Sequence, residues 1–250
     1  MSILVGGVSE LFQRDLDLGR LAVERLRHEH LGPGVTVEEM HYGAIAVVQR
    51  LQDLQPTTLV LVSAVVRGRT PGSVARRRVE PPALSPAEVQ LAVGDAVTGY
   101  VHPDLVVEIA AALGALPPRT VAVEVEPEVV GPGEGLSAAA AAGLEAALDL
   151  VRSEVRRAPL LDLSAELRPL VAGDRLEASG SLAVVRDLLD ELETLDREGR
   201  WGRCFTLGDR LRTQIAHETS SEGMDHRDWA LWWTLIEELS RLESAEAVGH

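Results

Sequence analysis

Three short stretches carry side chains whose types and spacing suit chemistry. "GGVSELFQRDLDLG" (Gly6–Gly19) follows a short apolar run and precedes an amphipathic helix; it holds Glu10, Asp15 and Asp17, the last two flanking Leu16. "SAVVRGRTPGS" starts at Ser63, where the most apolar strand-like run of the chain ends. "GYVHPDL" puts His102 just ahead of a helix and Asp104 in its first turn. In open α/β sheets, ligand sites form where strands end and helices begin. One histidine with one or two carboxylates can hold a transition metal. Each stretch also has a structural reading: an Asp before a helix commonly caps it or complements its dipole, worth about 0.5–2 kcal/mol, and a lone His at a helix entrance is often structural too.

The elements that must position these residues alternate. "ILVGGV" (Ile3–Val8) is a continuous apolar run, as expected of a strand buried on both faces. Leu18, Leu21, Ala22 and Leu26 then recur at helical spacing, and Gly32-Pro33-Gly34 stops that helix. "VTVEEMH" (Val35–His41) reads as a strand, "AIAVVQRLQDL" (Ala44–Leu54) as a helix closed by Pro56, and "TLVLVSAVV" (Thr58–Val66) as the strongest strand. "SVARRRVE" after the Pro71-Gly72 turn predicts an edge strand. Ser85 caps a helix from Pro86, and Pro103 opens another over His102–Leu116. "TVAVEVEP" (Thr120–Pro127) is the last strand, followed by a long helix over "LSAAAAAGLEAALDLVRSEVRR". This order predicts an α/β fold: a mostly parallel sheet with helices on both faces. From about Ala158 the strand patterns cease. Residues 1–157 therefore read as one α/β domain and 158–250 as an all-helical C-terminal extension, with helices predicted over "LAVVRDLLDELETLDREGRW", "RCFTLGDRLRTQIAHE" and "HRDWALWWTLIEELSRLE".

Composition removes several function classes. The 250 residues are 46% hydrophobic but only 3% aromatic, so the core must be Val, Leu, Ala and Ile. A formal net charge of −15 argues against nucleic acid and against an anionic membrane surface. Every one of the 24 basic residues is arginine, which rules out the standard P-loop, the protein-kinase strand lysine and Schiff-base catalysis. The single cysteine, Cys204, allows no intramolecular disulfide and no cysteine-based zinc site. No charged-then-apolar leader opens the sequence and no run of about 18 apolar residues occurs, so the expectation is a cytoplasmic protein without membrane insertion.

Arg67, Arg69, Arg76, Arg77 and Arg78 crowd one stretch of an acidic chain. They are candidate contacts for an acidic partner segment, or else the charges that protect an edge strand. His28 and His30 form a possible metal pair at a helix C-terminus, where histidine is also favourable for the dipole. His41 closes the second strand. Trp229, Trp232 and Trp233 make an apolar helical stripe suited to core packing or to a partner.

In order and spacing these segments resemble the hydrogenase maturation proteases over roughly residues 1–157. That family follows its first strand with a loop of the form G-[IV]-G-N-x-[LF]-x-x-D-[DE]-G-x-G. In "GVSELFQRDLDLG", Gly7, Phe12, Asp15 and Gly19 fit it. An apolar strand ending in D-A-V and then a P-G turn is matched by Ala64-Val65 and Pro71-Gly72 in "LVLVSAVVRGRTPGSV". A histidine ahead of a helix is matched by His102. The closing G-[IV]-E-P pattern, then L-S and a helix, is matched by "VEVEPEVVGPGEGLSAAAAAGLEAAL".

The resemblance implies an endopeptidase that removes the C-terminal peptide of a [NiFe] hydrogenase large subunit after nickel insertion. Its partner would be that precursor or another protein client. It would have no intrinsic cofactor, and nickel would be contacted in the substrate. Asp15 and His102 are then the expected catalytic residues, and His102 with Asp15 or Asp17 the expected metal contacts. The chain departs from the pattern at three positions. The family's loop Asn is Glu10. The first-loop acid is Leu16, which cannot ligate a metal, and the strand-end Asp is Ser63, a poor ligand for Ni(II). The same departures imply the alternative, a catalytically inactive homologue that binds or scaffolds a hydrogenase subunit or another partner.

Overall fold

A computed structural model of the chain describes residues 2–99, 101–171 and 180–201, together with 210, 213, 233, 237 and 241. It divides into two compact units, Met1–Val155 and Arg156–His250. In the first, β1 (Ile3–Val8), β2 (Val35–Met40), β3 (Thr58–Ala64), β4 (Val74–Arg78) and β5 (Arg119–Val125) form one sheet in the order β2-β1-β3-β5-β4. The first four in that order run parallel; β4 pairs antiparallel to β5 at the edge. β1, β3 and β5 are buried along their whole length. That explains why they read as unbroken apolar runs and not as alternating ones.

Strand alternation divides the core into two layers. Leu4, Leu59, Leu61 and Ala122 point to one side, where α2 (Ala44–Leu54), α3 (Pro86–Ala96) and α4 (Pro103–Ala112) supply Val47, Leu51, Ala92, Val106 and Ile109. Each fully buried aliphatic side chain contributes about 1.5–3 kcal/mol relative to exposure. On the other side lie α1 (Leu18–Leu26) and, as far as Val155, the start of α5 (Ala138–Val171). There the motif glycines have a packing role. A Cβ on Gly7 would sit 2.1 Å from the Gly19 carbonyl oxygen, and one on Gly19 would sit 2.3 Å from that of Val8. The first turn of α1 thus rests backbone to backbone on β1. On α5, a Cβ at Gly143 would approach the Gly72 carbonyl oxygen to 2.7 Å, so the Pro71-Gly72 turn and α5 meet in the same way.

The helix starts follow their sequence signals. Ser85 and Glu88 form a reciprocal capping box on α3, with Pro86 in the first turn. Pro103 opens α4 behind His102. Two bounds differ from expectation. β3 ends at Ala64, since Val66 already faces solvent. α5 does not stop near residue 157 but runs on through Pro159 and Pro169 to Val171. A proline inside a helix forfeits one N–H bond and crowds the preceding turn; the buried Leu160, Leu161 and Leu167 beyond Pro159 offset that cost.

In the second unit, α6 (Gly180–Glu198) buries Leu188, Leu189, Leu192 and Leu195. The Arg157 guanidinium lies 4.8 Å from the buried Trp201 ring centroid. Cys204, Trp229, Trp232 and most of the last two predicted helices lie outside the described residues; Trp233 is exposed. Among the described residues no helix is long and apolar enough to cross a membrane.

Candidate functional site

The loop after β1 is held by its own acids. Asp15 opens a single 3₁₀ turn, Asp15–Asp17, and is fully buried. Its Oδ2 accepts from the N–H groups of Glu128 (2.9 Å) and Val129 (2.8 Å) and from the Ser137 hydroxyl (2.8 Å), while Oδ1 accepts from the Ser137 N–H (2.7 Å). Burial pushes the carboxyl up, but the donors from Ser137, Val129 and Glu128 outweigh it and hold Asp15 below the usual carboxylate range. Backbone pairing adds to the staple: Gly133 N–H donates to Phe12 (2.8 Å) and Arg14 N–H to Gly133 (3.1 Å). Asp15 therefore joins the loop after β1 to the one before α5. Asp17 takes a bidentate contact from Arg20, Nε to Oδ1 at 3.0 Å and a terminal nitrogen to Oδ2 at 2.6 Å. Glu10 is half-buried and its N–H donates to the Leu16 carbonyl (3.1 Å), with Leu16 itself half-buried. Phe12 and Arg14 have φ of 60° and 49°, and Phe12 is 64% exposed.

On the far side of β3 the arginines meet carboxylates. Glu124 lies beside Ser63 in the β3–β5 register, so the two share the face turned to α2, α3 and α4. Arg67 grips Glu124 through Nε (3.3 Å) and one terminal nitrogen (2.9 Å), and grips both oxygens of Asp104 at 2.8 and 2.9 Å. Arg77 reaches Asp104 (3.2 Å) and Glu124 (3.1 Å); Arg69 reaches Glu124 (3.1 Å) and Glu126 (3.3 Å). The N–H groups of Arg67 and Gly68 also donate to Glu126 at 3.0–3.1 Å. Burial pushes Asp104, Glu124 and Glu126 up, but the hydrogen bonds from these arginines and N–H groups outweigh it and hold all three low; the Arg67 guanidinium is raised by Asp104 and Glu124 in return. An isolated buried carboxylate would cost several kcal/mol. Three guanidiniums against three carboxylates remove that cost and leave this ledge without excess charge.

The alternation of β4 sends its arginines to different places. Arg77 joins the ledge. Arg76, on the opposite face, pairs at 2.9 Å with the fully buried Glu154 of α5, which Arg119 also holds at 2.5 Å. Arg78 donates to the carbonyls of Val79, Thr120 and Pro118. Each of the five candidate partner-binding arginines thus has an internal acceptor. Sequence reasoning missed the acceptors Glu124, Glu126 and Glu154. The available signal was two glutamates inside the otherwise apolar "TVAVEVEP": a strand buried on both faces tolerates a carboxylate only with a partner.

His102 sits at the N-cap of α4, where Nδ1 accepts the Asp104 N–H at 3.3 Å and lies 3.7 Å from its carboxylate. It therefore borders the ledge. Asp15 is committed to the Ser137 side and Asp17 to Arg20. Ser63 is buried, and its hydroxyl finds no hydrogen-bond partner among the described residues. His41 lies 3.6 Å from Glu39 and edge-on to Tyr42; His28 and His30 are exposed after α1. Among the described residues no three His, Cys, Asp or Glu side chains are grouped to hold a metal ion. The donors around His102 do not suit nickel: the carboxylates there are already bound to guanidiniums.

No protein-family model matches the chain, and no curated protein does. Among solved structures, it is similar to the hydrogenase maturating endopeptidase HybD from E. coli, at 22% identity and a TM-score of 0.50, over 63% of this chain and 94% of that one. It is also similar to an endopeptidase from Escherichia coli, at 25% identity and a TM-score of 0.50, over 64% and 94%. The α/β unit has the fold of the hydrogenase maturation endopeptidases.

Proposed function

We propose that this chain is a cytoplasmic, non-cutting relative of the hydrogenase maturation endopeptidases that binds a hydrogenase large-subunit precursor at the strand ends of its sheet. The observation that carries the reading is the fate of Asp15: both its oxygens are engaged by four donors within the fold and the side chain is fully buried, so it is turned into the protein and away from a substrate metal or a water. Leu16, Ser63 and the Asp17–Arg20 pair add to it. The client is supported by the ordered motif resemblance and by the similarity to HybD. Exposed Leu11, Phe12, Val129 and Val130 on the two stapled loops offer it apolar contact.

The test mixes purified chain with nickel-loaded precursor from the same genome and follows the precursor's mass and elution. Co-elution with unchanged mass is expected. Discrete loss of a C-terminal peptide, abolished by His102→Ala, would establish an endopeptidase and end the non-cutting reading.

A further inference from the structure

We infer that Arg67 supplies, from the chain itself, the positive charge that a divalent cation would bring to this ledge, so that a partner is engaged there without regard to metal. The guanidinium bridges two carboxylates from different elements, Asp104 on α4 and Glu124 on β5, each through two contacts of 2.8–3.3 Å. A divalent cation holds a pair of carboxylates together in the same sense. Arg67 is fixed from its other side as well, since its own N–H and that of Gly68 donate to Glu126. Arg77 also reaches both carboxylates, and Arg69 brings a third guanidinium to Glu124. An incoming cation would have to displace a forked, doubly anchored group, and the released arginine would keep its charge at any physiological pH. His102 cannot compensate through Nδ1, which the Asp104 N–H already occupies. Arg67 is thus a specificity-determining residue that closes the ledge to metal.

Exclusion of the cation stands on the ledge alone; metal-independent partner binding rests in addition on the proposed function. The first measurement is a calorimetric titration of the full chain with Ni²⁺, on wild type, His102→Ala and Arg67→Met. Wild type is expected to show no stoichiometric Ni²⁺ binding that His102→Ala removes; such binding would overturn the inference. Folded Arg67→Met, verified by circular dichroism, is expected to acquire a stoichiometric Ni²⁺ site that the wild type lacks. A folded variant with no gain would overturn the role of Arg67, and if the variant does not fold the wild-type titration decides. The second measurement compares binding of wild type to metal-free and nickel-loaded precursor. Affinities within about twofold support the inference, and tenfold tighter binding of the loaded form overturns it. Binding of neither form would defeat the proposed client and leave the titration to decide for Arg67.

Discussion

On the β1 side of the strand ends, one carboxylate is held by neutral N–H and O–H donors; on the β5 side, Asp104 and Glu124 are held by guanidiniums and Glu126 by two backbone N–H groups together with Arg69. Both arrangements keep acids ionised in buried surroundings, yet they respond to different perturbations. Backbone donors are fixed by the fold and cannot leave, so Asp15 behaves as a structural cross-link between two loops. Guanidiniums reach their partners from long side chains, so the ledge of Arg67, Arg69 and Arg77 is held together by charge. An acid in a sequence motif can thus serve to build the loop, whatever chemistry its neighbours suggest.

Asp15→Asn should have the largest effect. The substituted amide offers one acceptor where the carboxylate offered two, and its NH₂ faces N–H donors. Hydrogen bonds to charged groups are worth about 1.5–3 kcal/mol and buried unsatisfied donors cost about 1–3 kcal/mol. With partial relaxation, urea denaturation should show a loss of about 3 kcal/mol. A loss under 1 kcal/mol would mean that the two loops hold together without the carboxylate.

Glu124→Gln should come next, at about 1–2 kcal/mol, because its three arginines keep Asp104 and Glu126 as alternatives. This variant separates the two sides through salt. At about 1 M salt, where the Debye length is about 3 Å, the gap between wild type and Glu124→Gln should narrow, while that between wild type and Asp15→Asn should persist. Equal narrowing of both would erase the distinction drawn between donors and guanidiniums.

The acid limb of stability should report both sides together. Asp15, Asp104, Glu124 and Glu126 all have carboxyls held below their ordinary values. Their contribution is fully present above the unfolded carboxylate pKa of about 4 and is lost as pH falls through the lower folded values. Urea midpoints taken from neutral pH downward should fall with a shallower slope in Asp15→Asn than in wild type, because one of the four groups no longer titrates. A parallel slope would show that Asp15 contributes nothing to the acid transition.

How much of this was legible beforehand follows from the range of the interactions. β1, β3 and β5, the Ser85 box and the Pro103 start are local patterns, and the sequence shows them directly. The resemblance ordered them along residues 1–157. Asp15 and the arginines were visible as candidates, but their destinations were not: the donors to Asp15 lie 113 to 122 residues away, and Arg67 reaches Asp104 and Glu124 across 37 and 57 residues. Spacing sets which face of an element a residue takes, as with Arg76 and Arg77 on opposite sides of β4, but not what waits on that face. The continuation of α5 past residue 157 was hidden for a related reason. Pro159 is a local stop signal, and only the burial of Leu160 and Leu161 overrides it.

Phe12 should give the smallest change in stability and the most direct sign of use. A bulky aromatic at φ 60° sits where L-residues are disfavoured by roughly 1–2 kcal/mol, and an exposed ring recovers little of that through packing. Asparagine tolerates this backbone region better. Phe12→Asn should therefore stabilise the chain by about 0.5 kcal/mol in urea denaturation while weakening precursor binding severalfold. A residue that strains the fold and packs on little is kept for what it touches when a partner arrives. If Phe12→Asn gained stability and bound the precursor as well as wild type does, the apolar contact would have to be moved off the β1 side, to Val66 beside the ledge.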